Sequence, residues 1–331
     1  MQTSILGSLK KDFFLLYAPG LSVALILICK DFIGLHTTET ASMIFLFILY
    51  YQMDTGHNCI TGLRVFRKWD YETAIFLLLI PNMFFLNWLF AYTLPVLFFR
   101  VHFYWGFFHH LRQYWGLCAW YQKINGRYDA PSKIFCHILP IFPFLNYHFH
   151  PAARNLGFVH DQREVILYPS VSVFNTVFFL FLLTVFIWLC FEYRNYKKFG
   201  FEANRVLSIF CPTLMHGVSF YLGKSILTFL APMIVGHAIA YVCLMDLGLN
   251  KLSTNFNRTR SFIKMGCVAF AGGVFICSVD YFFESPSADN FGPLVYSFLM
   301  ALATLPAFWH RIVDSHIWKG NHAEAKIIYA S

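Results

Sequence analysis

Apolar runs long enough to cross or nearly cross a hydrocarbon core of about 30 Å recur along this chain. They fall at 13–29, 41–57, 74–99, 101–122, 132–147, 171–191, 204–222, 225–248, 262–283 and 291–310. Each is bounded by a short polar stretch with Gly, Pro, Asn or charged residues, and the pattern predicts an all-α bundle of about eight to ten transmembrane helices. Some runs are less clean than others. The one at 101–122 is amphipathic and aromatic, the one at 132–147 is short and holds Pro140 and Pro143, and the one at 204–222 is interrupted by Pro212. One or two of these read equally as interfacial helices.

Composition agrees with that pattern. Of 331 residues 58% are hydrophobic and 20% aromatic, and only 13% are charged, against roughly 25% charged in an ordinary soluble domain. Forty phenylalanines are more than a water-facing surface can hide, whereas lipid accepts them. A single integral membrane domain over residues 1–331 is the simplest organisation, since neither an internal repeat nor a low-complexity linker is visible. Lys10 and Lys11 before the first run give it the outline of a signal peptide. No small-x-small site follows, so it is expected to remain as the first helix.

The net charge of +8 would suggest nucleic acid in a soluble protein; here the basic residues sit in short loops, where they orient helices. Lys10/Lys11, Arg64/Arg67/Lys68, Lys123/Arg127/Lys133, Arg194/Lys197/Lys198/Arg205, Lys251/Arg258/Arg260/Lys264 and Arg311/Lys319/Lys326 fall on one side of a ten-helix count. Lys30 with Asp31, Lys224, and the acidic stretch Asp280, Glu284 and Asp289 fall on the other. Both termini are therefore expected in the cytoplasm, with Arg154 and Arg163 in the loop 148–170 as exceptions. The sequon Asn257-Arg258-Thr259 is expected to stay unmodified on the cytoplasmic side. Nine cysteines without CxxC spacing read as small apolar residues, not as a disulfide framework or zinc ribbon.

The chemistry is carried by histidine. His57, His109, His110, His137, His216, His237 and His310 lie within the apolar runs, with His316 just past the last. An imidazole in hydrocarbon carries a desolvation cost that an apolar residue avoids, so each calls for a partner. Asp54 and His57 are three apart and share a helical face. His102, His109 and His110 fall in one helical sector, flanked by Arg112 and Gln113. Gly236 permits close helix approach beside His237, with Tyr241 one turn on. His310 and Asp314 are four apart, the spacing of a ligand pair or of a ligand with its orienting carboxylate. The orientation pattern puts His57, His109, His110, His237 and His310 in the central to cytoplasmic half of the membrane, where they could converge. The candidate metal set is thus His57, His109, His110, His237, His310, Asp314 and His316, while Asp54, Tyr241 and Arg112 would complete the reaction centre. Imidazoles with carboxylates and no thiolate suit iron, mono- or dinuclear, or zinc. His148, His150 and His160 fall on the outer side and read as surface residues first.

Histidines at the ends of long apolar helices resemble those of the membrane-bound non-haem iron oxygenases and desaturases, although the HxxxH and HxxHH boxes of those enzymes have no counterpart here: six residues separate His102 from His109 and five separate His310 from His316. The multi-pass architecture is also similar to that of the membrane carotenoid-cleaving dioxygenases. The resemblance implies an iron-dependent oxidoreductase acting on a lipid-soluble substrate, served by an electron donor and surrounded by membrane lipids, with no nucleic-acid partner. A zinc hydrolase would use a similar histidine set. The rival from another class is a transporter or channel relaying protons or cations through buried histidines, and haem with axial histidines is a third reading.

Overall fold

The computed structural model describes residues 4–33, 47–66, 71–150, 166–223, 226–252, 258–284 and 292–317. Among them there is no strand, and ten helices follow the ten apolar runs. Helix α1 comprises Leu9–Asp12, a wide π segment Phe13–Tyr17, and Ala18–Ile33. Helix α2 likewise joins a π segment Phe47–Thr55 to Gly56–Val65. Then come α3 (Tyr71–Thr93), α4 (Pro95–Ile124), α5 (Ala130–Tyr147), α6 (Val171–Phe199), α7 (Ala203–Leu222), α8 (Ile226–Leu252), α9 (Arg258–Glu284) and α10 (Pro293–Ile317).

Their ends follow local chemistry. Asp129 caps α5 by accepting from the Ser132 N–H at 2.7 Å, and Ser170 caps α6 through the Val173 N–H at 3.4 Å. Gly200, at φ +80°, closes α6 in a backbone region that side-chain-bearing residues avoid. Among the described residues six helices are long and apolar enough to cross a membrane: α1, α3, α6, α8, α9 and α10. On α6, Phe179, Leu182, Phe186, Ile187 and Leu189 are all exposed. A continuous apolar face of that kind, on a helix long enough to span, suits a lipid environment. The chain is an all-α, multi-pass membrane bundle.

Three boundaries differ from the sequence pattern. The run at 74–99 is cut at Leu94, because Pro95 has no N–H to continue the ladder and instead starts α4. Helix α2 runs on to Val65 through a polar stretch that reads as a loop, so His57 lies inside a helix rather than at its end. Helix α6 carries Arg194, Lys197 and Lys198 on its last turns, where cations complement the helix dipole. The nine cysteines are all free, as expected. Only Cys118, Cys136 and Cys211 are buried, whereas Cys29, Cys190 and Cys267 lie on exposed faces.

The contacts divide the chain into two compact units, Met1–His36 with Phe103–Ala240, and Thr37–His102 with Tyr241–Ser331. In the first, α5 packs on α6 and α7, and α1 packs on α7. Its core is aromatic: Phe107 stacks on Phe144 with centroids 3.7 Å apart, and Phe220 stacks on Phe229 at 5.5 Å. Asp12 folds the preceding residues back, accepting from the Ile5 and Leu6 N–H groups at 2.9 and 2.7 Å and from the Tyr121 hydroxyl at 2.9 Å. Arg205, only 2% exposed, forks onto Glu192 at 2.8 and 2.6 Å and also donates to Glu202 and Ser132, at 2.8 Å each. In the second unit α3 packs on α10, and α2 packs on α9 and α10. Trp309 Nε1 donates to the Phe76 carbonyl at 3.0 Å, and Gly56 brings α2 against Ala269 of α9.

Candidate metal-binding histidine groupings

Each unit holds a cluster of buried or half-buried imidazoles. In the second unit α2 supplies His57 and, one turn on, Thr61; α10 supplies His310 and Asp314; and the C-terminal half of α8 supplies Tyr241. The His57 ring stands edge-on to His310 with centroids 5.0 Å apart, and to Tyr241 at 5.6 Å, while Tyr241 is 4.9 Å from His310. All three are buried. A donor atom of His57 and one of His310 come within 4.8 Å, as do those of His310 and Asp314. The sequence spacing therefore pairs His310 with Asp314 as expected, and the fold brings His57 and Tyr241, both in the expected set, beside them.

The tautomer of His57 follows from its nearest acceptor. Its Nδ1 is 2.7 Å from the Met53 carbonyl, and a carbonyl only accepts, so Nδ1 carries the proton and Nε2 the lone pair. Asp54, expected to orient this ring, is 4.0 Å away at Oδ1, too far for a hydrogen bond. Its carboxylate also lies within electrostatic reach of Arg311. Arg311 itself donates to the His102 carbonyl at 3.2 Å. The Thr61 hydroxyl sits 2.6 Å from both the Tyr241 hydroxyl and His310 Nδ1.

In the first unit α4 supplies His109, His110 and Gln113, and the N-terminal half of α8 supplies His237. The His237 ring stacks on His110 at 4.4 Å and meets His109 edge-on at 5.0 Å; His109 and His110 are 6.2 Å apart. Gln113 grips His237 twice. Its amide nitrogen donates to the His237 carbonyl at 3.2 Å, which turns its oxygen toward Nδ1 at 2.9 Å. His237 is therefore protonated on Nδ1, and Nε2 carries its lone pair. Helix α8 reaches this position because Gly236 lies against Gly20 of α1, where neither residue has room for a Cβ.

Of the remaining candidates, Arg112 is exposed on α4, and His316 is exposed at the end of α10, edge-on to Phe76 at 5.6 Å. His216 and His137 donate to the carbonyls four residues earlier, Pro212 and Lys133, at 2.7 and 2.8 Å. His148 donates from Nδ1 to the Phe144 carbonyl at 2.9 Å and accepts at Nε2 from the Tyr104 hydroxyl at 2.8 Å. Burial holds His148 and His150 below the ordinary histidine range. His160 lies outside the described residues.

Sequence reading assigned no role to Thr61 or Gln113. Gln113 stands three residues after His110 and four after His109, and Thr61 stands four after His57, so helical spacing was the available signal in both cases. Neutral imidazoles with a defined lone-pair nitrogen, with carboxylates alongside in one cluster, make donor sets for iron, zinc or manganese. No family model matches the chain, and neither does any curated protein or solved structure.

Proposed function

We propose that this chain is a membrane-embedded, metal-dependent oxidase or oxygenase holding mono- or dinuclear non-haem iron and acting on a lipid-soluble substrate that enters from the bilayer. The observation that carries this reading is the holding of imidazoles at Nδ1. Met53 accepts from His57 and Gln113 accepts from His237, at 2.7 and 2.9 Å, which leaves Nε2 as the donor nitrogen in each ring. A ring fixed in this way is pre-oriented as a metal ligand.

In the first unit the ligands would be His109, His110 and His237. In the second they would be His57, His310 and Asp314, with Asp54 and Tyr241 beside the site. Iron with open positions supplies dioxygen chemistry when bound. The residues around it supply orientation and a dry, aromatic setting for an apolar substrate. The alternation of basic loops supports cytoplasmic termini and access for an electron donor from that side. Zinc would fit the same donors and would favour hydrolysis.

Metal analysis of the detergent-solubilised protein, expressed with iron and with zinc, tests the reading beside His110→Ala and His310→Ala. About one or two iron ions per chain, reduced in the variants while each still melts cooperatively, is the expected result. Zinc in place of iron would redirect the reading to a hydrolase. A folded wild type that takes up neither metal would overturn it and favour a transporter.

A further inference from the structure

At one end of the first unit the described acids turn inward and the cations turn out. Tyr121 at the end of α4 donates to Asp12 of α1 at 2.9 Å, and Arg205 of α7 reaches Ser132 of α5 and Glu192 of α6, each at 2.8 Å, so five helices meet there. Asp12 is buried on the Ile5 and Leu6 N–H groups, and Asp129 accepts from the Ser132 N–H at 2.7 Å and from Gln122 at 3.2 Å. Glu192 and Glu202 hold Arg205, and Glu202 also pairs with Arg127 at 3.2 Å. Lys10, Lys11, Lys133, Arg194, Lys197 and Lys198, by contrast, are all exposed. Among the described residues, the outer surface of this end is positive.

Its depth follows from α6. The 21 residues from Val171 to Phe191 carry no charge and at about 1.5 Å each cover roughly 31 Å, the thickness of a hydrocarbon core. The helix then continues to Phe199, so its last two turns stand beyond that core. On them Arg194, Lys197 and Lys198 are interleaved with exposed Tyr193, Tyr196 and Phe199. Aromatic rings of this kind settle at the headgroup level. Lys197 Nζ lies 5.5 Å from the centre of the Tyr193 ring and Lys198 Nζ 5.0 Å from that of Phe199, and neither forms an ion pair among the described residues.

We propose that this end of the first unit binds anionic phospholipid headgroups of the leaflet in which it lies. The exposed face of Phe186, Ile187 and Leu189 runs directly into the basic turns, so a lipid held there by its phosphate also has a surface for its acyl chains. A soluble anion would meet the charges but not that surface. Burying the acids on Arg205, Arg127 and backbone N–H groups is what leaves the positive field uncancelled. The proposal is independent of the metal reading.

Full-length protein in a nonionic detergent, titrated with spin-labelled phosphatidylserine and with phosphatidylcholine of the same chains, tests it. Wild type is expected to hold phosphatidylserine more tightly, and the difference should narrow in about 1 M salt, where charges are screened beyond about 3 Å. Each cation near an anionic surface contributes about fivefold. Arg194→Gln/Lys197→Gln/Lys198→Gln should therefore lower phosphatidylserine affinity on the order of 100-fold and leave phosphatidylcholine unchanged. Lys30→Gln, at the opposite end of α1 from Lys10, should change neither.

Equal binding of the two lipids by wild type would overturn the proposal, as would an undiminished preference in the triple variant. Displacement of the lipid by glycerophosphoserine or inorganic phosphate at comparable concentration would overturn a lipid as the occupant. Should the triple variant fail to melt cooperatively, Lys10→Gln/Lys11→Gln tests the same surface from α1: a loss on the order of 10-fold is expected, and no loss would count against the proposal.

Discussion

Gln113 holds His237 at both ends, by the backbone carbonyl at 3.2 Å and by the ring Nδ1 at 2.9 Å. The first bond fixes which end of the amide faces the ring, so the pair is a keyed contact rather than an interchangeable one. Gln113→Leu should leave α4 helical while freeing the His237 ring to change tautomer. Partners of this kind typically contribute on the order of 10- to 100-fold to metal affinity. A titration with cobalt(II) should show a loss of that size in Gln113→Leu, with His110→Ala as the reference for loss of a ligand itself. Affinity equal to wild type in Gln113→Leu would mean that the amide only packs.

Gly20 and Gly236 make the close approach that places His237. A Cβ on Gly20 would stand 2.6 Å from the Pro232 carbonyl oxygen and 2.6 Å from Met215 Sδ. The sulfur can swing aside, but the carbonyl belongs to helix α8 and cannot. Gly20→Ala should therefore push α1 from α8 and cost about 1–3 kcal/mol, the range for overpacking a filled core. A denaturant series in detergent measures it. Gly266→Ala on α9, where nothing lies within 4 Å of the added carbon, should be close to neutral.

Arg205 is held by two glutamates and a serine with almost no exposure, so what matters is the charge left behind when one partner goes. Arg205→Met should strand Glu192, whereas Glu202 keeps Arg127 at 3.2 Å, and destabilise the first unit by about 3–5 kcal/mol. Neutralising that acid as well, in Arg205→Met/Glu192→Gln, should recover much of the loss. Equal melting of the single and double variants would show that the arginine stem, not its charge, carries the effect.

The helices were legible because a lipid-facing helix must be apolar along its length, and such runs stand out in any window. The polar C-terminal half of α2 was not. Residues 58–65 contain Asn58, Thr61 and Arg64, which look like a loop until Gly56 is seen pressed on Ala269 and these polar side chains turned inward. The same misreading hid Thr61, since a threonine in a presumed loop has no reason to face a histidine 249 residues away. His310 with Asp314 was legible from spacing alone. The meeting of His109 and His110 with His237 was legible only as convergence at a shared depth, because helical periodicity gives the face each residue occupies but not the helix it meets. The carboxylate expected to orient His57 was displaced by a backbone carbonyl, which every helix offers four residues back and no pattern announces.

His148 gives a pH prediction outside the spanning helices. It is neutral in the fold, donating to Phe144 and accepting from Tyr104, and burial, partly offset by its backbone bonds, lowers its pKa below 6.5. His150, edge-on to Phe174 at 5.1 Å, is shifted the same way. A depressed folded-state value means that the unfolded chain takes up protons first. The stabilisation is complete above pH 6.5 and is lost as pH falls from there through the folded value. The segment that should respond is the strap before α6. Ile166 N–H donates to the Tyr104 hydroxyl at 3.2 Å, Tyr168 N–H to the His148 carbonyl at 2.8 Å, and Ser170 N–H to the Phe149 carbonyl at 3.0 Å. Hydrogen exchange, corrected for its intrinsic pH dependence, should show these amides losing protection below about pH 6.5. In His148→Gln, which keeps polar atoms at that position but cannot titrate, the pH-dependent part should shrink to what His150 contributes. Protection that stays constant from neutral pH down to pH 5 in wild type would show that the strap is held independently of the imidazole.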